Sequence, residues 1–285
     1  LNIAKNTKTV EYIFFDKKLM DKLEYAKKIE SMFYKALENE EFQVYFQPKI
    51  SLNNYQLAGA EALCRWFHNG KILPPDSFIP ILEQSKAICF LDFYMLEHTC
   101  MNIRKWLDRG LNAVKVSVNL SRRNLGDMDL LDNILRIIDK YSVPHKYIEI
   151  ELTETAVDVN FDELKKIVLG LQKEGISTSV DDFGMGYSSL SLIRELPWNV
   201  LKIDKSFLPE DMSDKKTTQK LIMLKHVVAM AQDIGLECIV EGIETIDQIK
   251  FLKENNCFLA QGFYFDKPMP VREFEDKLAK NPSKD

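Results

Sequence analysis

Histidine and cysteine are scarce in this chain of 285 residues, with four of the first and five of the second. The histidines (His68, His98, His145, His226) form no H-E-x-x-H pair, so the signature of a zinc hydrolase is missing. The cysteines (Cys64, Cys89, Cys100, Cys238, Cys257) show no C-x-x-C spacing, and an odd number cannot all pair. Reduced, interior thiols are expected, as in a cytoplasmic protein. An excess of basic residues is also lacking. A net charge of −5 argues against a partner such as polymeric nucleic acid, which calls for a basic stripe, but leaves room for a small anion held through metal ions. No apolar run is long enough to span a bilayer; the best, Leu221 to Ala231, is broken by Lys225 and His226, and no membrane contact is expected. No signal peptide is visible. The first residue is Leu rather than Met, which reads as a piece of a longer protein.

What is present is the balance of a globular protein, 46% hydrophobic and 28% charged. Leu23, Ala26, Ile29, Phe33, Ala36 and Leu37 recur at helical spacing, with Lys and Glu between them. The spacing predicts an amphipathic helix over 21–39, either a packing helix or a linker from an upstream domain. Short β-prone runs then alternate with helical patterns. Strands are expected over 43–47, 56–65, 114–120, 147–152, 176–181, 200–203, 237–241 and 258–261. Helices are expected over 90–109, 130–141, 161–174, 188–195, 217–234, 245–255 and 271–279. Only the first two strands lack a helix between them; Leu52-Asn53-Asn54-Tyr55 reads as a hairpin turn, so that pair is antiparallel. Eight strands with alternating helices predict an α/β fold, a modified TIM (β/α)8 barrel with an antiparallel first strand pair. An open doubly wound sheet would want a glycine-rich turn after its first strand, and none is there.

Active sites of such barrels lie at the carboxyl ends of the strands. Those ends carry Glu61, Asn119, Glu151, Asp181 with Asp182, Lys202, Glu241 and Gln261. Single acids at strand ends are common in solvated loops, but here nearly every strand delivers a polar group near its exit. Carboxylates converging on one mouth raise one another's pKa or hold divalent cations. Oxygen ligands without His or Cys select hard ions such as Mg2+ or Mn2+. Asp181 and Asp182 suit two ions ~4 Å apart, as in two-metal phosphoryl hydrolysis. Lys202 fits as a fixed cation, or else as a structural salt-bridge partner.

Glu61-Ala62-Leu63-Cys64-Arg65 resembles the E-A-L-x-R signature of EAL-domain cyclic di-GMP phosphodiesterases. The other blocks follow in order: Gln47-Pro48, Phe78-Ile79-Pro80, Val118-Asn119-Leu120-Ser121, Glu151-Leu152-Thr153-Glu154, Asp181-Asp182-Phe183-Gly184, Leu201-Lys202-Ile203-Asp204, Glu241-Gly242-Ile243-Glu244 and Gln261-Gly262-Phe263. E-A-L alone would mean nothing; the joint match, from about Glu30 to Glu275, is highly specific.

The resemblance implies hydrolysis of cyclic di-GMP to linear 5′-pGpG with two Mg2+ or Mn2+ ions. It assigns Glu61, Asn119, Glu151, Asp181, Asp182 and Glu241 to the metals and Lys202 to the attacking water, with Glu241 counted in the catalytic set as well. Arg65 corresponds to a phosphate contact, its neighbours Leu63 and Cys64 belong to the same substrate-binding block, and Gln47, Asn124, Asp204 and Gln261 correspond to further substrate contacts. Glu154 and Glu244, counted in the catalytic set too, correspond to groups behind the ligands, Glu154 steadying the loop after Asp182. The implied partners are cyclic di-GMP, a second copy in a homodimer, and an upstream GGDEF or sensory domain. On this reading 1–18 is the tail of a preceding GGDEF-like domain, 19–40 a linker helix and 41–285 the EAL-type barrel.

Departures are Met185, where Thr or Ala is usual, Leu82-Glu83 for Ala-Glu, and Asn199 for a frequent Asp. None removes a ligand. Two other readings are a non-hydrolysing cyclic di-GMP receptor, and an unrelated Mg2+-dependent barrel enzyme acting on a carbonyl acid. The first usually lacks some metal ligands, and all are kept here. The second leaves Arg65 and Gln47 unexplained.

Overall fold

The computed structural model describes residues 17–153, 161–184, 189–209 and 215–282. The chain opens on helix α1 (Lys17–Glu38). Ile29, Phe33 and Ala36, spaced to share one helical face, are buried, and Phe33 packs edge-on against Phe42 at 5.7 Å. Strands β1 (Phe42–Ser51) and β2 (Leu57–His68) then run antiparallel, with Gln47 opposite Glu61 and Lys49 opposite Gly59. Their connection turns through Tyr55 at φ 58°.

A short β3 (Lys71–Leu73) folds back on β2 through Asn69-Gly70, both at positive φ (50° and 73°), as a two-residue hairpin turn requires. After the single turn α2 (Ile79–Leu82) and the long α3 (Ala87–Asp108), strand and helix alternate. They are β4 (Lys115–Asn119), α4 (Leu130–Lys140), β5 (Ile148–Thr153), α5 (Phe161–Lys173), β6 (Ser177–Phe183) and α6 (Ser189–Glu195). The series continues with β7 (Val200–Ile203), α7 (Lys215–Asp233), β8 (Glu237–Val240), α8 (Ile246–Glu254) and β9 (Leu259–Ala260). The two-residue β10 (Met269–Pro270) and α9 (Val271–Lys280) end it.

Strands β2, β4, β5, β6, β7, β8 and β9 pair in that order, all parallel, and β1 closes the ring antiparallel to both β2 and β9. The expected barrel and its antiparallel first pair are therefore present. The pieces β3 and β10, too short to show a two-residue period in the sequence, extend the sheet at β2 and β1. Helix α3 begins at Ala87, three residues before the expected Phe90. No described helix is long and apolar enough to cross a membrane.

Alternation sorts the strand residues. On β5, Ile148, Ile150 and Leu152 are buried toward the helices, while Glu149 and Glu151, also buried, share the opposite face. Helices α4 (Leu130, Ile134, Ile138) and α5 (Leu164, Ile167, Val168, Leu171) cover the apolar side. The interior is thus lined with charge where most barrels pack Val, Ile and Leu.

One glycine matters for the rim. A Cβ on Gly262 would collide with the backbone N and O of Ile243, whose N–H donates to Gln261 O at 3.1 Å. Gly262→Ala is expected to cost about 1–3 kcal/mol, the range for overpacking, because backbone must move. Urea unfolding of the variant checks this, and an unchanged midpoint would refute it.

Candidate active site

Lys202, on β7 and 1% exposed, stands at the centre of the barrel's carboxyl end. Its Nζ lies 2.8 Å from Glu151 Oε2, 2.9 Å from Asp181 Oδ1, 2.8 Å from Glu241 Oε1 and 3.6 Å from Glu61 Oε2. The Glu241 contact is an ion pair without hydrogen-bond alignment. These acids come from β2, β5, β6 and the residue after β8, so one ammonium ties together strands spread around the ring.

The Asp181-Asp182 pair owes its placement to a β-bulge. Val180 faces Leu201 and Phe183 faces Ile203, so two aspartates oppose the single residue Lys202. Asp182 takes φ 55°, which short polar side chains tolerate, and its N–H donates to Asp181 Oδ1 at 3.0 Å. The bulge holds both acids at the mouth, where plain alternation would turn one away.

Amides complete the ring. Asn119 Nδ2 donates to Glu61 Oε1 at 3.0 Å, and Gln261 Nε2 donates to Glu61 Oε2 at 2.6 Å and Gln47 Oε1 at 3.0 Å. Gln47 Nε2 reaches Asp266 O at 3.3 Å. Arg65 shares the mouth face of β2; its Nη1 donates to Cys64 O at 2.7 Å and its guanidinium lies 5.5 Å from the Tyr45 ring centre. Leu63, half-buried, lies on that face between Glu61 and Arg65.

The remaining expected residues are more scattered. Cys64 sits on the opposite face of β2, among the buried core, so its side chain does not join the mouth and only its carbonyl does, through Arg65. Burial pushes its thiol up to about 12. Asn124 is buried; its Nδ2 donates to Asp92 Oδ2 at 2.7 Å and Ser121 O at 3.1 Å. Asp204, half-buried, caps a short turn by accepting from Ser206 N–H at 2.8 Å, and its charge helps raise Asp182. Glu244 is exposed, its N–H donating to Gln248 Oε1 at 2.8 Å in the capping box of α8. Glu154, Met185 and 1–16, the bulk of the segment read as a GGDEF-like tail, lie outside the described residues. Asn199 Oδ1 accepts from Thr178 N–H at 2.9 Å, and Leu82 is core.

Residues missed by the sequence reading form a layer beneath. Lys49 Nζ reaches Ser117 Oγ at 2.8 Å, with Glu149 Oε1 and Glu151 Oε1 each at 3.1 Å. Lys115 Nζ lies 3.4 Å from Glu149 Oε2. Their signal was the two-residue polar period of Lys115-Val-Ser117-Val-Asn119 and Glu149-Ile-Glu151 inside buried parallel strands.

Electrostatics sets these acids apart. Burial alone would raise Glu151, yet Lys202 and Lys49 outweigh it and hold the carboxyl at about 2. Burial pushes Glu241 up to about 8, with Lys202 only partly opposing and Asp181 and Glu61 adding to the rise. Glu61 and Asp181 are also raised, burial prevailing over Lys202. Lys202 itself is held well above the usual lysine range, its four carboxylates overcoming burial.

The donor set fits a hard divalent cation. Glu61, Glu151 and Asp181 each offer an oxygen, all within 4.8 Å of one another. With Asn119 and Gln261 beside them, the described cluster holds oxygen and amide groups and no imidazole or thiol.

The family profile described as "EAL domain" matches residues 30–268. Cyclic di-GMP phosphodiesterase NbdA of Pseudomonas aeruginosa is 33% identical over 266 residues, 93% of this chain and 34% of NbdA. Cyclic di-GMP phosphodiesterase PdeR of Escherichia coli is 31% identical over 271 residues, 95% of this chain and 38% of PdeR. The chain thus spans little more than a third of either relative. Among solved structures, the PaMucR phosphodiesterase in complex with c-di-GMP superposes with TM-score 0.80 at 31% identity, covering 87% of this chain and 99% of that one.

Asp92, on α3, anchors the loop after β4 by accepting from Ser121 N–H at 2.8 Å and from Asn124 at 2.7 Å. Burial pushes its carboxyl up to about 7, the two hydrogen bonds opposing and Glu83 adding slightly. A folded-state pKa above the unfolded 3.8 means the folded protein binds the extra proton. Its stability contribution is full below about pH 4 and falls as pH rises toward 7, by at most about 1.4 kcal/mol per pH unit. Asp92→Asn keeps an acceptor oxygen without the titration. Its urea midpoint is expected to fall less than the wild type's between pH 5 and 7; parallel curves would contradict the assignment.

Proposed function

Because the chain belongs to the EAL-domain family, we propose that it hydrolyses cyclic di-GMP to linear 5′-pGpG with Mg2+ or Mn2+ held at the barrel mouth. The observation that carries this reading is the convergence of Glu61, Glu151, Asp181 and Glu241 on Lys202. Glu61, Asn119, Glu151, Asp181, Asp182 and Glu241 are the residues that would hold the ions. Five carboxylates against the ammonium of Lys202 leave an excess of four negative charges, which two divalent cations would balance. A doubly charged anionic substrate is repelled by such a mouth until that negative charge is offset. An ion held there supplies Lewis acidity, turning water into a nucleophile near neutral pH and offsetting charge on phosphate.

The protein's own groups do the rest. The surrounding carboxylates hold Lys202 well above the usual lysine range, which suits a fixed positive charge and hydrogen-bond donor to the attacking water. Arg65, its fork set beside Tyr45 and fixed on Cys64 O, suits a phosphate oxygen. Gln47 and Gln261 hold each other and Glu61, and Asp204, whose charge is felt at Asp182, would offer an acceptor for guanine N–H groups. In the reaction, water's oxygen bonds to phosphorus, the bond from phosphorus to the 3′ oxygen breaks, and that oxygen takes up a proton. Supporting roles toward the metal ligands are proposed for Glu154 and Glu244.

The proposed division is a preceding-domain tail over 1–18, a linker helix over 19–40 and the barrel from 41 to 285. The family match starting within α1 supports placing the helix at the barrel's edge. Homodimerisation, an upstream domain and a cytoplasmic location complete the reading.

Purified protein incubated with cyclic di-GMP and Mn2+ is expected to yield linear product, resolved by chromatography, and Glu61→Ala to yield none. Lys202→Met is expected to lower turnover by about 100-fold or more while cyclic di-GMP affinity changes little. Tight binding without turnover in either metal would replace the enzyme with a receptor, and unchanged turnover in Lys202→Met would remove the lysine from the mechanism.

A further inference from the structure

A second ammonium reaches Glu151 from beneath. Lys49 leaves β1 opposite Gly59, where an added Cβ would lie 3.6 Å from its Cδ and 3.1 Å from Lys115 O. The lysine side chain crosses the barrel interior to Ser117, Glu149 and Glu151. Below it a cavity of about 660 Å3, lined by Lys49, Lys115, Glu149 and Glu237 among others, opens at the amino ends of the strands. Lys49 therefore belongs to the floor and not to the mouth.

Both Glu151 oxygens are held, Oε1 by Lys49 at 3.1 Å and Oε2 by Lys202 at 2.8 Å. Only the Lys202 bond lies on the side from which a cation would enter. We propose that Lys49 is a positioning residue for the divalent-cation site, anchoring Glu151 through Oε1 from below and so orienting the carboxylate toward the mouth. This rests on the reading above only in that the mouth holds a cation. Ligating carboxylates are in general oriented by such supporting bonds, and losing one costs about 10- to 100-fold in metal affinity.

Two effects of Lys49 oppose each other. Its charge repels a cation, while its bond fixes a ligand. Glu149, 3.1 Å from the same Nζ, offsets the charge, so removing Lys49 and Glu149 together isolates the positioning effect. The double change also avoids leaving buried Glu149 with Lys115, 3.4 Å away, as its remaining ammonium partner.

The test titrates Mn2+ into the full chain and follows free Mn2+ by electron paramagnetic resonance. Glu149→Gln alone, which keeps the Lys49–Glu151 pair, is expected to bind Mn2+ within about threefold of wild type, and Lys49→Met/Glu149→Gln about tenfold or more weakly. Metal-free thermal unfolding of the two variants is expected to be similar, and saturating Mn2+ to restore cyclic di-GMP turnover in the double variant. Affinity of the double variant within threefold of wild type, or an equal loss in Glu149→Gln alone, would overturn the proposal. Wild type that binds Mn2+ without hydrolysing cyclic di-GMP would sink the phosphodiesterase reading and leave the Lys49 comparison standing; wild type that binds no Mn2+ would sink both.

Discussion

Everything at the barrel mouth depends on one buried ammonium. Lys202 is 1% exposed, and three carboxylate oxygens lie within 2.9 Å of its Nζ. Neither the lysine nor the acids could stay charged there alone, because burying an unpaired ion costs several kcal/mol. The pairing draws β2, β5, β6 and the exit of β8 toward β7, so the contacts that organise the ring also assemble the site. The interior is charged and held by ion pairs, with the apolar packing moved outward to the helices.

That arrangement makes the cluster a poised one. Four acids share one cation, and their proton affinities split, Glu151 held at about 2 while Glu241 is pushed up to about 8. The carboxylate with two ammonium partners stays ionised, while burial raises the other three. Glu61, Glu151 and Asp181 would hold a divalent cation there, in competition with the protons and the ammonium that now share them. Lys202 is a charge already in place among those acids, the kind of preorganisation that phosphoryl chemistry would use.

Much of this was legible in the sequence for a physical reason. Seven parallel strands bring their carboxyl ends to one rim, so polar residues at the ends of β2, β4, β5, β6 and β7 had to meet once the barrel was recognised. The antiparallel start was readable because Leu52 to Tyr55 leaves no room for a helix. The bulge at Asp181-Asp182 was not, since alternation alone would have turned one acid away. Nor was the inward position of Lys49 and Glu149, because a charged residue within a strand reads first as solvent-facing. Cys64 shows the opposite limit: a neighbour in a signature block shares its backbone with the site, while the pleat directs its side chain into the core. The loop-bound Asn124 turns inward to Asp92, a partner on α3 that no local pattern reveals.

The most direct measurement is an anomalous difference map from crystals soaked in Mn2+. The account predicts density among Glu61, Glu151 and Asp181, with Lys202 displaced from at least one of its carboxylates. A protein that binds Mn2+ elsewhere, with Lys202 still gripping all three acids and no density between them, would contradict it.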